Sequence, residues 1–218
     1  MTLSLVTGLV LIALPIVFNL TFFALGRAFD YPNILRQPTD VILKRFADGG
    51  QRLIRLWYLF AITALLVQLV FADRFPQLAA ASAILGVVSG LVQAMGLFRW
   101  PFLVPVLAAH YNAPSATPAT RDAVVVTFAA LHLYLGVVVG EHLGYLFTAA
   151  WTIVVSVMMT ATPQFGPLLA GFGIVSAIGI LAGLLEPAGW KPAGAVNAIS
   201  YLLWSLWLLI AGVILVLA

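Results

Sequence analysis

Long apolar runs separated by short polar segments dominate this chain. A transmembrane helix needs about 20 consecutive apolar residues, and most of these runs are that long. The pattern therefore predicts an all-α, polytopic transmembrane helical bundle that forms a single domain over residues 1–218. The six predicted spans are Leu3–Leu25, Leu53–Ala72, a segment that begins near Leu78, Gly136–Thr160, Leu168–Leu185 and Gly194–Leu217.

Residues 122–161 leave the number of spans open. As one straight helix, this segment would be about 60 Å long, which is twice the thickness of the hydrocarbon core. One solution is a pair of spans that break at Gly140-Glu141, which gives seven spans in total. The other is one span preceded by an interfacial or re-entrant helix. A stripe at four-residue spacing favours the second, because such a stripe forms one continuous helix face. The stripe consists of His132, Gly136, Gly140, Gly144, Thr148 and Thr152.

The charged residues concentrate in the first loop. Six of the ten Lys and Arg residues lie between positions 27 and 55. Short basic loops stay on the cytoplasmic side, so we expect loop 27–55 to be cytoplasmic and the N-terminus to be outside. Six spans then place the C-terminus outside, and seven place it inside.

The apolar N-terminal run lacks the basic region and cleavage site of a signal peptide, so it is expected to be the first span.

A short amphipathic helix is predicted inside this loop. It covers Asp40–Ala47, begins after Thr39 as its N-cap and is ended by Gly49-Gly50. Its spacing of apolar residues predicts a helix at the membrane surface, with Val41, Ile42 and Phe46 on the apolar face. Anionic lipid headgroups are candidate partners of the neighbouring cations, which are Arg36, Lys44, Arg45 and Arg52.

Composition agrees with the membrane assignment and excludes several chemistries. The chain is 63% apolar and 8% charged, whereas soluble domains are about 45–50% apolar and about 25% charged. There is no cysteine, which excludes disulfides, zinc–thiolate sites and iron–sulfur clusters. Outside the first loop no basic face carries interleaved aromatics, so nucleic acid is not an expected partner.

Ionisable residues inside the spans are the candidates for function, because a charge in the bilayer needs a partner or a cavity. The candidate ligand-binding residues are Arg99, Glu141, His142, His132, Glu186 and Asn197. Arg99 is either an interfacial anchor beside Trp100 or the buried partner of Glu141 or Glu186. If the chain is helical on both sides of the loop near residue 115, Arg99 lies at a similar depth in the membrane to His132. Gln93 then lies closer to the depth of Glu141.

Enzymatic chemistry has little support in the sequence, and we name no catalytic residue. His132 and His142 lie about 15 Å apart along one helix, which is too far for a shared metal. There is no HExxH, GxSxG or GxxxxGK[ST] motif. We therefore expect no metal site and no cofactor, and we lean against an enzyme.

Three function classes remain. The first is a small intramembrane polar site that binds an ion, a proton or a small amphiphile, for transport, sensing or support of a partner. The second is an intramembrane haem or metal enzyme, and the third is a structural scaffold. A membrane-protein partner or a homo-oligomer is compatible with each of the three.

Four segments carry a resemblance to a known family. They are Gly96–Leu107 (GLFRWPFLVPVL), Gly140–Trp151 (GEHLGYLFTAAW), Leu185–Trp190 (LEPAGW) and Tyr31–Thr39 (YPNILRQPT). Together they resemble the bacterial membrane proteins grouped as domain of unknown function 4386, over nearly the whole chain. The resemblance implies a bacterial polytopic protein with no established activity, and it transfers no catalytic residue. We expect a helical bundle of this kind in the inner membrane.

Overall fold

The computed structural model describes residues 3–66 and 76–217, and within them every regular element is helical. This confirms the prediction of an all-α bundle. The α-helices are α1 (Leu3–Phe29), α2 (Thr39–Leu66), α3 (Pro76–Phe98), α4 (Val104–Asn112), α5 (Pro118–Leu131), α6 (Gly144–Thr160), α7 (Gly166–Leu181) and α8 (Ala193–Leu217). Two π-helical segments, π1 (Arg99–Leu103) and π2 (His132–Leu143), and two 3-10 helices (Asn33–Arg36 and Ala182–Leu185) complete the described chain.

Five helical stretches are long and apolar enough to cross a membrane. They are Leu5–Phe29, Gln77–Asn112, Pro118–Thr160, Gly166–Leu185 and Ala193–Leu217. The remaining predicted span, Leu53–Ala72, coincides with the second half of α2 as far as Leu66. The end of this predicted span, residues 67–72 with Gln68, lies outside the described residues. So do residues 73–75 of the predicted turn 73–76.

One continuous helix occupies the segment that left the span count open. Pro118–Thr160 runs for 43 residues through α5, π2 and α6. At Gly140-Glu141 the helix does not break but widens into π geometry, in which backbone hydrogen bonds join residues five apart. A helix of this length exceeds a hydrocarbon core of about 30 Å, and its first part, α5, packs against α4 and α2.

The first loop leads into a bent α2. The helix begins at Thr39 and bends at Gly50, whose φ of 52° and ψ of −148° suit glycine. In the amphipathic first part, Ile42 and Phe46 are buried as predicted, whereas Val41 is exposed and Leu43 takes its place in the core. The apolar face of this part therefore packs against protein.

Two hydrophobic cores hold the bundle together. The first is built on Trp151, Trp204 and Trp207, where α1, α6, α7 and α8 meet. The second, which we call the aromatic core, is built on the buried rings of Phe29, Phe46, Trp57, Trp100 and Phe128. Within it the Trp57 and Trp100 rings stack, with centroids 4.6 Å apart and planes 11° from parallel. The aromatic core surrounds π1 and thereby positions Arg99.

The predicted stripe of small residues lies at the interface between α3 and the long fifth helix. A Cβ atom added to Gly96 would lie 2.6 Å from the Gly140 Cα atom, so the two backbones touch. Further along, Gly144 faces the Gln93 side chain. Small residues allow such close approach in membranes, where packing and hydrogen bonds drive helix association. Gly8 and Gly212 make the equivalent contact between α1 and α8.

Replacement of Gly96 by alanine should destabilise the protein by about 1–3 kcal/mol, because the new methyl group would overlap backbone that cannot rotate away. The matched control is Gly171→Ala on α7, where an added Cβ meets no atom within 4 Å. Thermal unfolding of both variants in the same detergent measures the difference. Equal melting temperatures for Gly96→Ala and wild type would contradict the proposed backbone contact.

Candidate functional site

Arg99 begins π1 and is covered by protein, with 7% of its surface exposed. An interfacial anchor would leave its guanidinium in water, so this burial argues against that alternative. Its Nη1 donates a hydrogen bond to the Gly96 carbonyl oxygen, and its Cζ lies 5.1 Å from the centroid of the Trp100 ring, a cation–π contact. The guanidinium fills the space beside Gly136, where an added Cβ would lie 2.7 Å from Nη2.

Several N–H donors around Arg99 lack acceptors. Among the described residues, no acceptor lies within hydrogen-bonding distance of Arg99 Nε, Trp57 Nε1 or Trp100 Nε1. Trp57 and Trp100 are themselves fully buried. A buried donor without a partner costs about 1–3 kcal/mol, more when it is charged. Among the described residues, Arg99 is hydrogen-bonded to one acceptor, the Gly96 carbonyl oxygen, and the other N–H donors named here lack a partner.

Glu141 lies in π2, on the helix that Arg99 contacts. It follows Gly136 by five residues, which is the hydrogen-bond step of a π-helix, so the two positions stand on successive turns. Its partly buried carboxylate interacts electrostatically with Arg99 and with Glu186. The ion pairs among the described residues are Arg36–Glu186 and Arg45–Asp30, so Arg99 and Glu141 are neighbours without being in ion-pair contact.

Tyr31 joins this group from the loop after α1. Its ring packs edge-on against Trp57, with centroids 4.9 Å apart. Burial raises the pKa of Tyr31 to about 12; the negative charge of Glu141 acts in the same direction and the positive charge of Arg99 opposes it. Tyr31 is therefore a neutral phenol at physiological pH.

The two histidines of π2 have different surroundings. His132 stacks on Phe128, with centroids 5.2 Å apart, and meets the edge of Trp100. Its buried Nδ1 has no hydrogen-bond partner among the described residues. His142 Nδ1 lies 3.3 Å from the Val137 carbonyl oxygen on its own helix. His132 therefore borders the Arg99 region, whereas the described hydrogen bond of His142 is local.

Glu186 and Asn197 lie on the α7–α8 side of the bundle. The Glu186 side chain is 51% exposed and lies 3.9 Å from Arg36. Asn197 is buried and donates from Nδ2 to the Ile180 carbonyl oxygen at 2.7 Å, which ties α8 to the end of α7. The structure thus brings Arg99, Glu141 and His132 to one region, places Glu186 at its exposed edge and gives Asn197 a packing contact. Ligand binding by these residues stays a prediction.

A hydrogen-bonded cluster lies further along the same interface. Ser89 and Thr148 share a 2.7 Å hydrogen bond, and Gln93 Nε2 donates to both hydroxyl oxygens. Thr152 accepts from Trp204 Nε1 at 2.7 Å, which connects the cluster to α8. These side chains satisfy one another, as polar groups in helix interfaces must.

Metal binding finds no geometric support in the described part of the chain. In residues 3–66 and 76–217, no three His, Asp or Glu side chains converge closely enough to hold a metal ion. The donor set at Arg99 consists of N–H groups, which cannot coordinate a cation.

Sequence reasoning missed Tyr31, Trp57 and the donor role of Trp100. Tyr31 and Trp57 lie far from Arg99 in the chain, and aromatic residues near span ends are typical of membrane-interface anchors. A signal did exist, since tryptophans of a well-packed helix interior usually find an acceptor for the indole N–H. Recognising it requires knowing that both indoles are buried.

A family model supports the resemblance noted in the sequence. The model, described as a domain of unknown function (DUF4386), matches residues 6–212. The chain matches no curated protein and no solved structure.

Replacement of Tyr31 by phenylalanine should change how stability responds to alkaline pH. Because the pKa of Tyr31 is raised in the folded protein, its contribution to stability is complete below pH 10 and is lost as pH rises through about 12. The stability of wild type relative to Tyr31→Phe should therefore decline between pH 10 and 12. Parallel unfolding curves at pH 9 to 12 measure this difference, and a constant difference would contradict the burial of the phenol.

Proposed function

The chain belongs to the DUF4386 family, whose description assigns no activity, and we propose that this membrane protein binds a small anionic amphiphile at Arg99. The guanidinium holds the anionic headgroup, and the neighbouring apolar surface accepts the hydrocarbon tail. Binding of this kind is the first step of either transport or sensing.

One observation carries the proposal: Arg99 is buried without an ion-pair partner among the described residues. A buried charge normally has a partner, because desolvation of an unpaired ion is expensive. A ligand with an acceptor group would supply this partner. The nearby indole N–H groups of Trp57 and Trp100 have the same need.

The surroundings of Arg99 favour an anion over a cation or a free proton. Arginine and indole present donors only, and a guanidinium forks well onto a carboxylate, sulfonate or phosphate. The aromatic core and lipid-facing residues such as Phe102, which is 63% exposed, make the neighbourhood apolar. An anionic amphiphile offers an acceptor group to these donors and a hydrocarbon tail to the apolar neighbourhood, whereas a small inorganic anion offers only the acceptor group.

We also propose an inner-membrane location with loop 27–55 in the cytoplasm. Eight of the ten cations lie on the segments at one end of the bundle: Arg27, Arg36, Lys44, Arg45, Arg52, Arg55, Arg121 and Lys191. The Arg36–Glu186 contact supports this placement, because it joins the first loop to the α7–α8 loop. Basic loops favour the cytoplasmic side. The exposed cations Arg36, Lys44, Arg45 and Arg52 would then face anionic lipid headgroups.

Replacement of Arg99 by glutamine should weaken the binding of dodecanesulfonate by about tenfold to a hundredfold, since charged hydrogen bonds contribute about 1.5–3 kcal/mol. Binding is measured by equilibrium dialysis with protein in uncharged phosphatidylcholine nanodiscs, after subtraction of binding to empty nanodiscs. Gly136→Ala should also weaken binding, because its methyl group displaces the guanidinium. Dodecanol and dodecyltrimethylammonium, which lack the anionic headgroup, should bind without dependence on Arg99.

The matched control is Arg121→Gln, which removes an exposed arginine at the end of the bundle where the basic first loop lies. It should leave the saturable binding of dodecanesulfonate unchanged. If wild type shows no saturable binding, or if Arg121→Gln weakens it as much as Arg99→Gln, the proposed site is wrong. A scaffold then becomes the better description of the protein.

Orientation can be tested with single cysteines, because the natural chain has none. Ser115→Cys lies in the loop before α5, and Gln164→Cys lies in the loop before α7, at opposite ends of the same long helix. We expect an impermeant maleimide added to intact cells to label Gln164→Cys only, and to label Ser115→Cys after the membrane is opened. The reverse pattern would contradict the proposed orientation.

A further inference from the structure

The Arg99 region holds one buried cation and one neighbouring carboxylate. The Arg99 guanidinium fills the space beside Gly136, and Glu141 stands one π turn further along the same helix, so that without a ligand the two charges balance. An anionic headgroup that contacts Arg99 would place a second negative charge beside Glu141. Two anions would then share one cation in a region covered by protein, where water screens repulsion poorly.

The other ionisable groups near Glu141 do not supply a second cation. Tyr31 reaches it from the loop after α1, Tyr145 lies on its own helix and Tyr201 comes from α8. Glu186 faces it from the α7–α8 loop and is itself negative, with Arg36 as its partner. Arg99 on π1 interacts with Glu141, and His132 on π2 borders Arg99.

We propose that binding of an anionic amphiphile at Arg99 is coupled to the uptake of one proton by Glu141, an inference that rests on the proposed function. The proton comes from bulk water and forms an O–H bond on the carboxylate, so that the net charge of the region is the same before and after binding. Glu141 then no longer competes with the ligand for the guanidinium.

The geometry suits this exchange. Arg99 and Glu141 are neighbours that do not form a direct ion pair among the described contacts, so the guanidinium can bind a headgroup without first breaking a short contact. Tyr31, Tyr145 and Tyr201 interact electrostatically with Glu141, and none of the three contributes a positive charge that would compete with the proton. Protonation therefore changes one charge without requiring a rearrangement of the helices.

The test measures proton uptake during ligand binding. Decanesulfonate is the probe, because a sulfonate does not titrate between pH 5 and 9 and any proton taken up belongs to the protein. Wild-type protein in uncharged nanodiscs should take up close to one proton per bound sulfonate from a weakly buffered solution that contains a pH indicator. The affinity of the protein for decanesulfonate should weaken by up to tenfold for each unit by which the pH rises, over the range in which Glu141 titrates.

Glu141→Gln should bind decanesulfonate at least as tightly as wild type, with no proton uptake and no pH dependence. Asp122→Asn, which removes an exposed carboxylate on the same long helix, should behave as wild type. Uptake that persists in Glu141→Gln but disappears in His132→Gln would assign the proton to the histidine and overturn the inference.

Failure of the inference differs from failure of the proposed function. Saturable, Arg99-dependent binding of the sulfonate without proton uptake keeps the site and removes the coupling. No saturable binding to wild-type protein removes both.

Discussion

The contact between Gly96 and Gly140 determines where the polar groups of this protein lie. Neither residue carries a side chain, so α3 and the long fifth helix approach until their backbones touch. Lipid tails solvate apolar side chains well, and helices in a membrane therefore associate through close packing and hydrogen bonds. One turn beyond this contact the space between the helices holds the guanidinium of Arg99 against Gly136. Any change that separates the two helices would admit lipid or water to that space.

The aromatic core gives the arginine an environment that is neither water nor an ion pair. The face of the Trp100 ring attracts the guanidinium, and the stacked Trp57 and Trp100 rings exclude solvent from one side. Such rings stabilise a cation less than a carboxylate would. The charge is thus tolerated but not neutralised by direct contact with a carboxylate.

Much of this architecture could be predicted from sequence. The four-residue stripe from His132 to Thr152 correctly indicated one continuous helix face. Three of its members face α3 at Gly96, Gln93 and Ser89, and a fourth, Gly136, faces Arg99 of π1. The predicted depth of Arg99 was less accurate. Counting residues from the loop placed it level with His132, but it lies beside Gly136, one turn further along the helix. The comparison assumed two equal α-helical arms, and the π segments change the number of residues per turn.

Other features depend on tertiary structure and had no local signal. The role of Tyr31 depends on how the first loop folds back over α2, and the burial of Leu43 instead of Val41 depends on which face of α2 meets α1. Arg99 itself was found because a charge among apolar residues is conspicuous. Its lack of an ion-pair partner could be recognised only from coordinates, since Glu141 and Glu186 were both plausible partners by position.

The π geometry of residues 132–143 also has a consequence for how related chains should be compared. A π turn accommodates one residue more than an α turn, so deletion of a single residue there would let the segment return to a regular α-helix. The helix on either side would keep its orientation, because the turn loses its extra width together with its extra residue. Within the segment, a residue five positions after Gly136 would lie about 140° around the α-helix from it instead of on the next turn of the same face, and the carboxylate of Glu141 would leave the side on which the guanidinium lies. Among homologous proteins, the length of this one segment should therefore separate those that retain the paired charges from those that keep only the scaffold.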